Sequence, residues 1–223
     1  MNSQSESRKH QVLIVEDHPM FREYLGQLIN RDLGMAVCGE TDNVKDALQM
    51  IQAMKPDIAI VDITLKGSSG LELLKDIGAM GLDVKVLVLS MHDEDLYAER
   101  ALKAGAMGYI TKNEASTEVV TAIKKVMTGE IYASSLMTSK LLHKLTQKRK
   151  EPEIDRLSLL ADRELEVFQL LGKGKSTKEI AHELNLGEST VETYRARIKD
   201  KLGLRTAAAL YLRAGQWVRG QLE

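Results

Sequence analysis

Asp62 closes an apolar run, Ile58-Ala59-Ile60-Val61, and two similar runs also end in polar residues. Val12-Leu13-Ile14-Val15 leads into the acidic pair Glu16-Asp17, and Val84 to Leu89 leads into Ser90. A fourth, short run around Tyr109-Ile110 ends at Lys112. Three carboxylates, a hydroxyl and an ammonium, each just past a strand-like segment, are the groups a sheet edge needs to gather a Mg2+ ion and a phosphoryl group. Mg2+ takes octahedral oxygen ligands and keeps several waters, so two or three carboxylates plus a phosphate oxygen suit it. A carboxylate can accept a phosphoryl group as an acyl phosphate, which makes Asp62 the candidate nucleophile. Glu16 and Asp17 are then the metal-holding pair, with the main-chain carbonyl of Thr64 as a further ligand. Lys112 would neutralise phosphate charge, and the Ser90 hydroxyl would hydrogen-bond a phosphate oxygen.

The segments that must position these groups alternate in period. Strand-like runs at 12–15, 35–38, 58–61, 84–89 and 107–110 are short and aliphatic, and helical stretches near 19–31, 43–54, 70–79, 94–104 and 114–128 separate them. Five β/α units of this kind predict a parallel sheet covered by helices on both faces. In such sheets the ligand crevice lies beyond the carboxyl ends of the strands, at the topological switch point. All five polar positions fall at that edge.

At these residues the chain, over about 10–130, resembles the receiver domain of two-component response regulators. Glu16-Asp17 match that family's acidic pair, Asp62 its phosphoacceptor, Ser90 its switch hydroxyl, Tyr109 its switch aromatic and Lys112 its phosphate-binding lysine. Gly70, eight residues after Asp62, falls where the family has its glycine. The resemblance implies a (βα)5 flavodoxin-like fold, a Mg2+ cofactor and phosphotransfer from a cognate sensor histidine kinase. Two positions depart from the family pattern: Lys66 and Asn113 stand where prolines are common. The second departure removes an expected cis peptide.

Length and composition bound the rest. The chain has 223 residues, 43% of them hydrophobic, which suits two modest domains. No apolar stretch approaches a membrane span and MNSQSESRKH lacks the apolar middle of a signal peptide, so a cytoplasmic protein is expected. The single cysteine, Cys38, excludes an internal disulfide and reads as a buried, inert thiol. His10, His18, His92, His143 and His182 show no metal-ligand spacing with one another or with Cys38, which argues against zinc. Charge is uneven: residues 10–139 carry 12 Lys and Arg against 19 Asp and Glu, whereas 140–223 carry 17 against 12. An acidic front and a basic back imply different partners. Residues 131–156, with Lys140, Lys144, Lys148, Arg149, Lys150 and Pro152, read as a connector whose first part has a helical face of Leu136, Leu141, Leu142 and Leu145.

The back, 157–223, reads as four short helices with glycine punctuation. Val167, Leu170 and Leu171 share a face before Gly172 and Gly174, Ser176 can cap a second helix, and Glu188-Ser189 opens a third. Along that third helix Val191, Tyr194, Ile198 and Leu202 fall on one side, and Ser189, Thr193, Ala196 and Asp200 lie opposite. Helix, glycine turn and a helix with one docking and one polar face form a helix-turn-helix, whose second helix enters the DNA major groove. Arg195, Arg197, Lys199, Lys201 and Arg205, against Asp200 alone, suit phosphate contacts.

Over 158–215 the segment resembles the LuxR-type helix-turn-helix of the NarL/FixJ regulators. The match lies in Arg163-Glu164, Glu166-Val167, Lys178-Glu179-Ile180-Ala181, Ser189-Thr190-Val191, Tyr194, Ile198 and Lys201-Leu202. By family position Glu192, Thr193 and Ala196 face bases, and Lys178, Arg195, Arg197, Lys199 and Lys201 face phosphates. The resemblance also gives the last helix, through Ala207, Leu210 and Tyr211, a role in a homodimer on double-stranded DNA. Leu160-Ala161-Asp162 replaces the family's Leu-Thr-Pro opening, so the first helix is expected to lose its threonine cap or to start at Asp162.

The expected function is a phosphorylation-controlled transcription regulator rather than an enzyme. A phosphatase of the haloacid-dehalogenase type needs a second acid two residues after the nucleophile, and Thr64 stands there. A receiver with an RNA-binding tail would call for an aromatic-rich strand motif, which the sequence lacks.

Overall fold

The computed structural model describes residues 8–65, 67–91, 94–135, 137–139 and 156–220. The readings made at Lys66, at His92 and over most of the 131–156 connector lie outside these residues. The chain divides into two compact units, one up to residue 147 and one from 148 onward.

In the first unit, β1 (His10–Val15), β2 (Met35–Thr41), β3 (Ile58–Asp62), β6 (Lys85–Ser90) and β7 (Gly108–Thr111) form one parallel sheet in the order β2-β1-β3-β6-β7. Helices α1 (Pro19–Asn30), α2 (Val44–Met54), α3 (Gly70–Ala79), α4 (Glu94–Lys103) and α5 (Ala115–Met127) connect successive strands or follow the last one. The pleat sorts the side chains: Val12, Ile14, Ile58, Ile60, Leu87, Leu89 and Ile110 meet Leu25 and Ile29 of α1 and Val119, Ile123 and Val126 of α5 in one buried cluster. β1 and β3, the central strands, are buried on both faces, as strands covered by helices on each side must be. The direction of chain progression reverses between β1 and β3, so the switch point lies where Glu16 and Asp62 end their strands.

A feature the sequence did not announce is a small antiparallel ladder, β4 (Thr64–Leu65) with β5 (Ser68–Ser69), just after Asp62. It delivers the chain to α3, where Ser69 is the N-cap: its Oγ accepts from Leu71 N at 3.3 Å and its own N–H donates to Glu72 Oε2 at 3.4 Å. Among the described residues there is no cis peptide bond, in keeping with Asn113.

In the second unit a 3-10 turn (Arg156–Leu159) precedes α6 (Asp162–Gly172), α7 (Thr177–Glu183), α8 (Glu188–Leu202) and α9 (Ala207–Gly220). α6 starts at Asp162 with Ala161 as an N-cap that has no side-chain acceptor. Glu164 Oε2 compensates by accepting from Ala161 N at 2.8 Å. Phe168, Val167, Ile180, Val191, Ile198, Leu210 and Ala214 close the core. α6 and α9 approach so closely that a Cβ at Gly172 would lie 2.5 Å from the Ala214 carbonyl oxygen, and Phe168 and Trp217 rings pack at 5.6 Å nearby.

Candidate functional site

The carboxyl edge of the sheet brings together every charged group expected there and a histidine that was not. Lys112, just past β7, places its Nζ 2.7 Å from Asp62 Oδ2 and 2.8 and 2.7 Å from the two oxygens of Glu16. All three side chains are at least nine-tenths buried, at 5%, 2% and 1% exposure for Lys112, Asp62 and Glu16. Asp17 and Glu16 also flank His18, whose Nδ1 is 2.8 Å from Asp17 Oδ1 and 3.0 Å from Glu16 Oε1. Glu16, Asp17, His18 and Asp62 each offer a ligand atom within 4.8 Å of the others. Spacing among the histidines and Cys38 carries no sign of His18; its adjacency to the acidic pair is the available signal.

The electrostatics follow from burial. Desolvation, then the nearby Glu16 charge, pushes the Asp62 carboxyl up to about 8, against the pull of Lys112 and of the Thr64 N–H. Burial works against the Lys112 ammonium, but Asp62 and Glu16 together outweigh it and raise its pKa. Three carboxyl groups thus converge on one ammonium, and this oxygen-rich donor set fits a hard divalent cation. The Lys112 ammonium also lies over the Phe21 ring, with Nζ 4.9 Å from the ring centre.

The backbone holds Asp62 in place. Thr64 N donates to Asp62 Oδ1 at 3.3 Å, and Gly70 N donates to the Ile63 carbonyl at 2.7 Å. That contact requires glycine, since a Cβ at position 70 would sit 2.0 Å from the Asp62 carbonyl oxygen. Asp62 pairs with Leu89 across β3 and β6, so Ser90 stands one residue further along the same edge. Ser90 and Tyr109 are both buried, and Lys112 N donates to the Ser90 carbonyl at 2.8 Å.

The second candidate site is the exposed face of α8. Val191, Ile198 and Leu202 are buried and Tyr194 is half-buried, whereas Ser189, Glu192, Thr193, Ala196, Arg197 and Asp200 are exposed. Lys178 on α7 is exposed and Lys199 is half-buried. Two of the expected phosphate-facing residues have partners within the domain instead. Lys201 Nζ is 2.6 Å from Glu164 Oε2, and Arg195 is paired with Thr177 and Glu192. Glu164 and Thr177 lie 37 and 18 residues from Lys201 and Arg195, beyond the reach of a helical-face argument, whereas Glu192 is one turn from Arg195 on α8. On α9, Leu210 is fully buried and Tyr211 half-buried, while Ala207 is exposed. Leu210 thus closes the domain's own core and is not offered to a partner chain.

Comparison with known proteins agrees with both halves. Residues 12–124 match the response regulator receiver domain, and residues 158–214 match the bacterial regulatory proteins of the luxR family. A transcriptional regulator of Pseudomonas aeruginosa is 40% identical over 199 residues, 89% of this chain and 94% of its own. The virulence-factor transcription regulator BvgA of Bordetella pertussis is 37% identical over 193 residues, 86% of this chain and 90% of its own. Among solved structures, a LuxR-family two-component response regulator from Aurantimonas is 30% identical with a TM-score of 0.58, covering 62% of this chain and 99% of its own. No helix among the described residues is long and apolar enough to cross a membrane.

Proposed function

The chain belongs to the DNA-binding response regulators that join a receiver to a LuxR-type helix-turn-helix, and from that membership and the geometry of the two sites we propose how it is switched. Residues 10–130 act as the receiver, 131–156 as the linker and 157–223 as the DNA-binding domain. Asp62 takes a phosphoryl group from the phosphohistidine of a cognate sensor kinase: an Asp62 oxygen forms the new P–O bond as the P–N bond breaks. Glu16, Asp17, Asp62 and the Thr64 carbonyl hold Mg2+. When bound, that ion supplies charge screening for the incoming phosphoryl oxygens. Lys112 exchanges its Asp62 contact for a phosphate oxygen, Ser90 donates to another, and Tyr109 repositions as Ser90 moves.

The protein works in the cytoplasm as a regulator rather than a catalyst. Two copies bind double-stranded DNA together, because one module of about 65 residues makes few base contacts. Glu192, Thr193 and Ala196 face bases, Lys178, Arg197 and Lys199 face phosphates, and Ala207 lies on the dimer side of α9.

The observation that carries this reading is the buried Lys112 ammonium shared by Asp62 and Glu16 at the switch point. Intact-mass measurement after incubation with acetyl phosphate tests it. One acid-labile phosphoryl group is expected only with Mg2+ and none in Asp62→Asn; uptake persisting in that variant would refute the assignment.

A further inference from the structure

Arg195 sits one helical turn from Glu192 on α8 and faces Thr177 on α7. Its guanidinium donates to Thr177 Oγ1 at 2.8 Å and also to Glu192 Oε1. Thr177 Oγ1 in turn donates to the same Glu192 oxygen at 2.8 Å. The guanidinium carbon lies 5.3 Å from the centre of the Tyr211 ring, so α9 contributes to the clamp too. The Arg195 side chain is only 14% exposed, whereas that of Glu192 is 55% exposed. A residue reaching for DNA phosphates keeps its donors in solvent; this one has turned inward and left the carboxylate outside.

We propose that Arg195 is a positioning residue for sequence reading, holding Glu192 toward a base that presents an exocyclic amino group in the major groove, cytosine first. The proposal rests on the reading that α8 enters the groove with Glu192 base-facing. Two physical effects follow from the geometry. Both hydrogen bonds end on Oε1, so the carboxylate is fixed while Oε2 remains available to accept, and little rotamer freedom is left to lose on binding. The guanidinium also cancels a charge that the phosphates would otherwise repel. Lysine is a poor replacement, because the guanidinium reaches Thr177 and Glu192 through Nη1 while its carbon lies over the Tyr211 ring, and a flexible point charge does not hold all three contacts at once.

The test uses the full-length, acetyl phosphate-treated protein and a duplex selected from a random-sequence pool, with a scrambled duplex as control, titrated at several salt concentrations. Arg195→Lys and Thr177→Val should each lower the selected-over-scrambled affinity ratio about tenfold, the scale of one base-directed contact, with the salt slope unchanged. Thermal melts of both variants show whether the domain stays folded, and Thr177→Val changes no charge. If instead Arg195→Ala weakens both duplexes alike and lowers the salt slope by about one, while Arg195→Lys restores binding, Arg195 is a phosphate contact and the proposal is overturned. If Glu192→Gln leaves both the selected sequence and the ratio as in wild type, the base-facing reading of Glu192 fails, and the clamp with it.

Discussion

Replacing Lys112 with methionine keeps an unbranched apolar stem and removes the charge that two buried carboxyl groups share. Removing one member of a buried ion pair costs about 3–5 kcal/mol, because the remaining charge is left in a medium that solvates it poorly. Here the cost depends on pH, since Asp62 can escape by taking up a proton. An aspartate that titrates near 3.8 when unfolded and about 8 in the folded chain binds more protons folded than unfolded. Its contribution therefore lowers stability as pH rises from the unfolded value through the folded one, by about 1.4 kcal/mol per pH unit. Without Lys112 the folded value rises further, and the decline continues above pH 8 where wild type has levelled off.

The expected loss in the variant is thus about 1–2 kcal/mol near pH 6, where Asp62 is largely protonated in both proteins, and about 2.5–3.5 kcal/mol near pH 9, one pH unit past the wild-type value. For a receiver of this size that difference of about 1.4 kcal/mol separates the two melting-point losses by roughly 6 °C. Circular-dichroism melts at both pH values, with and without saturating Mg2+, measure it. The divalent cation should restore most of the alkaline loss. Equal losses at both pH values with no rescue by Mg2+ would show that Lys112 acts as an aliphatic stem rather than as a counter-charge, and the argument would fail.

Two further outcomes follow from the site. Gly70→Ala forces a Cβ to within 2.0 Å of the Asp62 carbonyl oxygen, and this clash is with backbone that no rotamer can relieve. The receiver should lose about 3 kcal/mol and take up phosphate more slowly from acetyl phosphate, as melts and intact mass would show; a variant with wild-type melting and uptake would contradict the close approach. Ser90→Ala should accept phosphate normally yet transmit little of it to DNA binding, because on the proposed reading the buried hydroxyl donates to the new group. A full DNA-binding response from completely phosphorylated Ser90→Ala would break that coupling.

The receiver was legible because its information is periodic: aliphatic runs mark the strands, and the edge residues follow from where each run stops. What escaped was aperiodic or long-range. β4 and β5 are two residues each, too short for alternation to appear. His18 meets Glu16 and Asp17 through a local turn, and sequence spacing ranks it no higher than the other histidines. Charge counts along α8 carry no direction, so the sequence sets Arg195 and Lys201 beside Arg197 and Lys199 as phosphate contacts. Arg195 and Lys201 turn toward Thr177 and Glu164, whose proximity only the folded bundle creates. Leu210 shows the same limit on α9: an apolar residue in an amphipathic pattern can serve the core or a partner, and packing against the rest of the domain decides it.

The two sites meet one electrostatic requirement in the same way. On the proposed reading each must present a carboxylate to a negatively charged partner, a phosphoryl group at Asp62 and a phosphate-lined groove at Glu192. A bare carboxylate would repel either one, so each is backed by a cation that is itself braced from behind by an aromatic ring: Lys112 over Phe21, Arg195 over Tyr211. The choice of cation matches the demand. At Asp62 the contact must break and re-form when the phosphoryl group arrives, and a lysine, with a flexible stem and a point charge, can move between oxygens. At Glu192 the carboxylate must stay still while bases are compared, and an arginine held by a threonine and a ring provides that rigidity. Exchanging the two cations should therefore damage each site in a different manner, with slow or incomplete switching at the first and loss of sequence discrimination at the second.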